Sequence, residues 1–164
     1  MAVDEAGYRE YVSHRLDGWR RTAFLLSGDW HTADDLVSTA LLRLLRHWRR
    51  VSAMEYPDAY VRRMLLRAWL DERRRPWRRE RATSVLPERA APTVDTTNRL
   101  AILALLAELP ARRRAVLILR YFCDLSVEET ADALGCSAGT VKSQTARALD
   151  TLRARLVGVP AIEE

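Results

Sequence analysis

Two acidic pairs, Asp34-Asp35 and Asp71-Glu72, stand out as residues that could do chemistry. Closely spaced carboxylates can hold Mg²⁺ for phosphodiester cleavage, so a helical nuclease is one reading. Such an enzyme also needs a catalytic His or Lys constellation, and none accompanies these acids. Cys123 and Cys136 form no CxxC, and His14, His31 and His47 lie far from them, so zinc-ligand spacing is absent. Neither a metal nor a cofactor is therefore expected, and the two thiols read as buried or incidental. A stronger signal is basic. Between Arg62 and Arg81 stand nine arginines against three acids, a net charge of +6 in a chain whose total is +5. A concentrated cationic patch favours a polyanionic partner. Trp69 and Trp77 are interleaved with it, which suits phosphate neutralisation and base stacking on single-stranded or melting DNA, although Trp69 itself falls on an apolar stripe and reads as core. The competing interpretation of any such run is a solvated face.

The elements that position these groups are helical. The chain has 164 residues, 48% of them apolar and 30% charged, with six glycines and six prolines. Leu, Ala and Arg dominate and favour helix. No apolar run approaches a membrane span, and the acidic N-terminus lacks the apolar core of a signal peptide, so a cytoplasmic protein is expected. Tyr8, Tyr11, Val12, Trp19, Ala23 and Leu26 recur at helical spacing and predict a helix over residues 5–26, broken by Ser27-Gly28-Asp29. Thr32 is the expected cap of a second helix, with Asp34 and Asp35 in its first turn, where the dipole favours them. Its apolar face is Val37, Leu41, Leu44, Leu45 and Trp48. Residues 49–56 read as a loop. Pro57 suits the first turn of a third helix, whose stripe is Val61, Met64, Leu65, Ala68 and Trp69 and whose polar face is the arginine run.

From Pro76 the periodicity fails. Pro76, Pro87 and Pro92, with several Thr and Ser, mark residues 76–97 as a linker, which when extended spans at most about 75 Å. An all-α fold follows: two small helical domains, residues 1–75 and 98–164, joined by that linker. In the second, helices are expected over residues 98–109 and from Pro110 through Phe122. Ser126-Val127-Glu128-Glu129 is a capping box, Gly135 a C-terminal stop, and Ser137 the cap of a last helix in which Val141, Thr145, Ala148, Leu152 and Leu156 face inward. A capped helix, a Gly135-Cys136-Ser137 turn and a second capped helix make a helix-turn-helix, which offers its second helix to the DNA major groove. Gly139, Ser143, Ala146 and Arg147 then point outward, flanked by Thr140 and Lys142. Small residues there let the helix sit deep, and Lys142 and Arg147 are placed for phosphates or guanine edges. A simple repressor or activator would use the same motif. The first domain argues against a response regulator, because no strand-rich receiver precedes the motif.

The residues resemble a known family at this point. Thr32-Ala33-Asp34-Asp35-Leu36-Val37, Leu44-Leu45-Arg46-His47-Trp48, Tyr56-Pro57-Asp58-Ala59-Tyr60 through Leu65, and Asp71-Glu72-Arg73-Arg74-Arg75 look like region 2 of extracytoplasmic-function (ECF) sigma factors. Leu109-Pro110-Ala111-Arg112-Arg113-Arg114-Ala115-Val116-Leu117, Leu119-Arg120-Tyr121-Phe122, and the segment from Leu125-Ser126 through Ser143 resemble region 4. The actinobacterial SigE-like subgroup is the most similar, and about residues 5–75 and 98–157 are covered. The resemblance implies a transcription initiation factor, not an enzyme, whose partners are core RNA polymerase and promoter DNA, with an anti-sigma factor as a further candidate. It assigns contact with the clamp helices of the largest polymerase subunit to Asp34, Asp35, Leu36, Ser38 and Thr39, the last two standing where the family usually has Gln-Glu. It assigns the −10 element to the loop before Pro57 and to Tyr60, Arg62, Arg63, Arg67, Arg73, Arg74 and Arg75, with Arg67 where the family often has Asn. The −35 element falls to Ser137, Thr140, Lys142, Ser143 and Arg147. The first helices of region 4 would meet the β flap, and the linker would thread toward the RNA exit path.

Overall fold

The structure, a computed structural model, describes residues 4–74 and 94–157, with the backbone alone for residues 94–98. All regular structure among the described residues is helical, and it divides into two compact units, one carrying α1–α3 and the other α4–α7. No helix among the described residues is long and apolar enough to cross a membrane.

In the first unit, α1 (Glu5–Ser27) is capped by Asp4, whose carboxylate accepts the Gly7 N–H at 3.0 Å. It stops at Gly28, where φ is 76° and the N–H returns to the Phe24 carbonyl; a side chain at that φ would be strained. Helix α2 (Trp30–Ser52) begins earlier than expected. Its cap is Asp29, not Thr32: the Thr32 N–H and hydroxyl both donate to Asp29 Oδ2, at 2.8 and 2.7 Å. Asp34 and Asp35 accordingly lie in the second turn, past most of the dipole's reach. Partial burial works against ionisation of Asp29, but the Thr32 donors and the His31 N–H outweigh it and hold its pKa below the ordinary value. The other end also differs. The expected loop over residues 49–56 shrinks to residues 53–56, because Val51 is fully buried and Arg49 and Arg50 complement the dipole of the last turn.

Helix α3 (Pro57–Arg73) starts with Pro57 in its first turn, and Val61, Met64, Leu65, Ala68 and Trp69 are buried as the stripe predicts. Trp69 is 1% exposed, a core residue; burial of a side chain of this kind stabilises by roughly 1.5–3 kcal/mol or more. Leu45 departs from expectation and sits at the surface. A clasp joins α1 to α3: the Tyr11 hydroxyl donates to Asp58, and Arg15 Nε reaches the same carboxylate oxygen at 2.6 Å. Burial, and then the bond to Asp58, raise the Tyr11 pKa far above its ordinary value, so this hydroxyl remains a donor.

In the second unit, α4 (Val94–Glu108) starts four residues before Asn98. Thr96 and Thr97, part of the expected linker, are only mildly unfavourable in a helix. Pro110 caps α5 (Ala111–Leu117), and the expected continuation to Phe122 is a π-helical turn, Ile118–Phe122. There the Cys123 N–H reaches back to the Ile118 carbonyl at 2.9 Å, and the Leu125 N–H to that of Leu119 at 3.0 Å. The wider turn keeps Leu119 and Leu125 inward while Tyr121 and Phe122 face out, and it closes through Asp124 at φ 55°. A 3.6-residue pattern carries no trace of such a turn. Helix α6 (Val127–Leu134) has both halves of its capping box, Ser126 Oγ accepting the Glu129 N–H and Glu129 accepting the Ser126 N–H. Gly135 takes φ 66° and Ser137 caps α7 (Ala138–Leu156). Val116, Ala131 and Val141 form a buried cluster against which Val127, Leu134 and Cys136 pack. Leu156, expected inside, is 53% exposed because α7 outruns the core in its last turn.

Candidate nucleic-acid interface

Helix α7 is oriented by its core contacts. Val141 and Ala148 are fully buried, and Thr145 is half-buried with its hydroxyl donating to the Val141 carbonyl at 2.7 Å. With that face fixed, Gly139, Ser143, Ala146 and Arg147 lie at the surface, as does Lys142. The helix start is locked: Ser137 Oγ accepts the Thr140 N–H at 3.1 Å, the two hydroxyls are 2.9 Å apart, and Ser143 donates to the Thr140 carbonyl. Three residues expected to meet DNA, Ser137, Thr140 and Ser143, are thus held in one rigid turn with a cation, Lys142, close by. Gly139 is informative. A Cβ there would meet only Ser137 Oγ, at an ordinary 3.8 Å. Nothing packed around Gly139 demands glycine, and its lack of a side chain leaves the backbone of the first turn open to solvent.

No ion pair among the described residues engages Lys142 or Arg147. The cations further along α7 are paired, Arg153 with Asp150 at 3.7 Å and Arg155 with Glu108 at 3.1 Å. At 100° per residue, Lys142 and Arg147 fall on opposite flanks of the bare face. Lys142→Ala is expected to weaken binding equally on matched and scrambled duplexes, as a lost phosphate contact does. Arg147→Ala should cost more on the matched site, by about 1–3 kcal/mol if it pairs with a guanine. Titration of both variants at fixed salt checks this, and equal losses for Arg147→Ala would make it a second phosphate contact.

The first unit carries the arginine face on α3. Arg63, Arg67 and Arg74 are exposed and project within about 40° of one line. Tyr56, 70% exposed just before the helix, continues it. Arg62 and Arg73 lie on a flank, Arg73 with its guanidinium 5.5 Å from the Trp69 ring centre. Tyr60 is half-buried, and its hydroxyl accepts a hydrogen bond from Arg50 Nη2 at 2.9 Å. Arg75 and the remaining cations of the run, with Trp77 and the linker residues 76–93, fall outside the described residues. Tyr56 and Arg50 carry no periodic signal; Tyr56 enters through the loop before Pro57 that the family resemblance assigns to the −10 element.

A groove of 360 Å³ runs between α2 and α3, lined by Asp35, Leu36, Ser38, Thr39 and Leu42 of α2 and by Asp71 of α3, among others. It unites four of the five residues expected to meet the polymerase. Asp34 does not line it; its carboxylate takes two hydrogen bonds from Arg20, at 2.7 and 3.3 Å. Leu36 is only 4% exposed and forms the floor, a core residue in place of a surface contact. Leu42 supplies the exposed apolar surface, at 61%. Its sign in the sequence is a leucine outside the apolar stripe of its helix. Among the described residues no group of His, Cys, Asp and Glu could hold a metal ion.

Comparison with known proteins agrees with this arrangement. Residues 12–79 match Sigma-70 region 2 and residues 99–152 match Sigma-70, region 4. The chain is 40% identical over 154 residues to the RNA polymerase sigma-E factor of Streptomyces coelicolor, covering 92% of this chain and 86% of the other. It is 34% identical over 155 residues to the ECF RNA polymerase sigma factor SigL of Mycobacterium tuberculosis, covering 89% and 86%. Its fold is that of the sigma factor RpoE solved in complex with the anti-sigma factor NepR from Bartonella quintana, with a TM-score of 0.73, 21% identity and coverage of 93% and 98%. The chain belongs to the extracytoplasmic-function sigma factors of the sigma-70 family.

Proposed function

We propose that this chain directs core RNA polymerase to its promoters, with residues 1–75 acting as region 2, the part from α4 onward (residues 94–164) as region 4 and residues 76–93 as the tether. The observation that carries the reading is the outer face of α7: bare at Gly139, Ser143 and Ala146, cationic on both flanks, and fixed by the core contacts of Val141 and Ala148. That surface suits the −35 element. The residue 53–56 loop, Tyr60 and the arginine face of α3 suit the −10 element, by phosphate neutralisation and by stacking on Tyr56. The α2–α3 groove, with a leucine on its rim and carboxylates at Asp35, Asp71 and Glu72 against one cation, Arg43, suits a basic amphipathic helix such as a clamp helix of the largest polymerase subunit. The first helices of the second unit are the candidates for the β flap.

The chain acts by binding and leaves catalysis to the polymerase, in the cytoplasm where its template lies. An anti-sigma factor is a further candidate partner, supported by the complex with the anti-sigma factor NepR in which the similar fold of RpoE was solved.

The test is run-off transcription with purified core enzyme, beside gel filtration of the mixture. Specific initiation is expected only when chain and core are combined. Asp35→Arg with Leu42→Glu should abolish co-elution without changing circular dichroism, since both side chains are exposed. Leu36→Ala is unsuitable, because removing a buried leucine costs about 2–5 kcal/mol of stability by itself. Failure of the unaltered chain to bind core would refute the sigma reading; normal binding by the double variant would remove the groove from the interface.

A further inference from the structure

The three consecutive arginines of α5 go to three different places. Arg112 is exposed, Arg114 is 2% exposed, and Arg113 is half-buried with its Nε donating to Gln144 Oε1 of α7 at 3.2 Å. Gln144 is not an arbitrary anchor. Thr140, Gln144 and Arg147 stand at i, i+4 and i+7, so they form one ridge along a helix of 3.6 residues per turn. Arg113 is therefore docked from a different helix onto the flank that also carries Arg147, while Lys142 stands on the opposite flank.

We infer that Arg113 is a phosphate-contacting residue of the −35 interface, seated on the recognition helix by Gln144. This rests on the reading of α7 as that helix. A helix lying in a major groove about 12 Å wide meets a phosphate wall on each side, so it needs a donor on each flank. Lys142 supplies one wall. On the other, the bond from Nε leaves both terminal nitrogens of Arg113, four N–H donors in a planar fork, for a phosphate oxygen pair. The bond to Gln144 fixes the guanidinium before DNA arrives, so less side-chain freedom is lost on binding. It also engages one of the two lone pairs of the Gln144 carbonyl oxygen and so fixes the orientation of that amide toward α5. In the interface Gln144 acts as a positioning residue.

The experiment uses the full chain assembled with core polymerase and a duplex selected from a randomised pool by the unaltered complex, alongside a scrambled duplex. Arg113→Ala should weaken both by the same factor, about tenfold at low salt for one charge-assisted contact, and lower the slope of log K against log salt by about one unit. Arg113→Lys should keep most of the slope and lose part of the affinity. Gln144→Ala should keep the slope and weaken binding less than Arg113→Ala. A reduced melting temperature with an unchanged slope would make Arg113 a brace between α5 and α7 and overturn the proposal. A loss confined to the selected duplex would overturn it too, by making Arg113 a base reader. If Lys142→Ala and Arg147→Ala are also without effect, the reading of α7 itself falls; if they weaken binding and Arg113→Ala does not, only this assignment falls.

Discussion

Val141→Asp is expected to unfold the helix-turn-helix unit. Val141 has no exposed surface and packs with Val116 and Ala131, so one side chain closes the junction of α5, α6 and α7. An aspartate there must bury an unpaired charge or take up a proton, and either outcome costs several kcal/mol. A small helical domain has on the order of 5 kcal/mol to lose. Circular dichroism should show the loss of the second unit's helices, with α1–α3 retaining theirs, and binding to a −35 duplex should vanish. A folded, DNA-binding Val141→Asp would mean that α7 is rotated away from the orientation that places Gly139, Ser143 and Ala146 outward.

Replacing Arg63, Arg67 and Arg74 together with alanine should reduce the salt dependence of promoter binding by about three units, one for each lost phosphate contact. These three are exposed and share a line on α3, whereas Arg62 and Arg73 stand on its flank. The paired change of Arg62 and Arg73 is accordingly expected to alter the slope less. None of the three is buried, and Arg74, the C-cap of α3, caps through its backbone N–H, which alanine keeps, so the melting temperature should hold. The measurement is binding of a forked −10 probe by the assembled complex across a salt series. A slope unchanged in the triple variant would return the arginine face to the status of a solvated surface.

The sequence made both units legible where local chemistry is redundant. The helix-turn-helix is announced by a capping box at Ser126 and Glu129, a glycine at 135, a serine cap at 137 and an apolar stripe; the first three are found in place, and the stripe holds at Val141 and Ala148 but not at Leu156. The stripe of α3 was equally plain, since Pro57 marks its start. The misplaced features have one cause each. Asp29 and Thr32 both have capping chemistry, and the choice between them depends on where Trp30 begins its turn, which no pattern of apolar residues determines. The stretch after Ile118 keeps an apolar pattern compatible with an α-helix, although its hydrogen bonds widen by one residue. Leu45, Leu42 and Leu156 are apolar by composition and exposed by geometry, because a periodic stripe gives the direction of a face and not how far the neighbouring helix extends over it.

The candidate sites divide in the same way. Lys142, Ser143 and Arg147 could be placed on a surface from helix phase alone. Leu36 could not be told from a contact residue, because only packing against α3 turns it into the floor of a groove. Arg50, Arg113 and Gln144 were invisible as participants: each acquires its role from a partner 10 to 31 residues away, at Tyr60 for the first and across α5 and α7 for the others.

The helices that pack most closely are near neighbours along the chain: α1 on α2, α2 on α3, and α5, α6 and α7 on one another. Little loop-closure entropy separates the unfolded chain from either set of native contacts. Bundles with such low contact order fold in microseconds to milliseconds, much faster than the ribosome adds the next residues. The α1–α3 unit can therefore be complete while the helix-turn-helix is still being synthesised, and the order in which the two binding surfaces become available in the cell follows the order of translation.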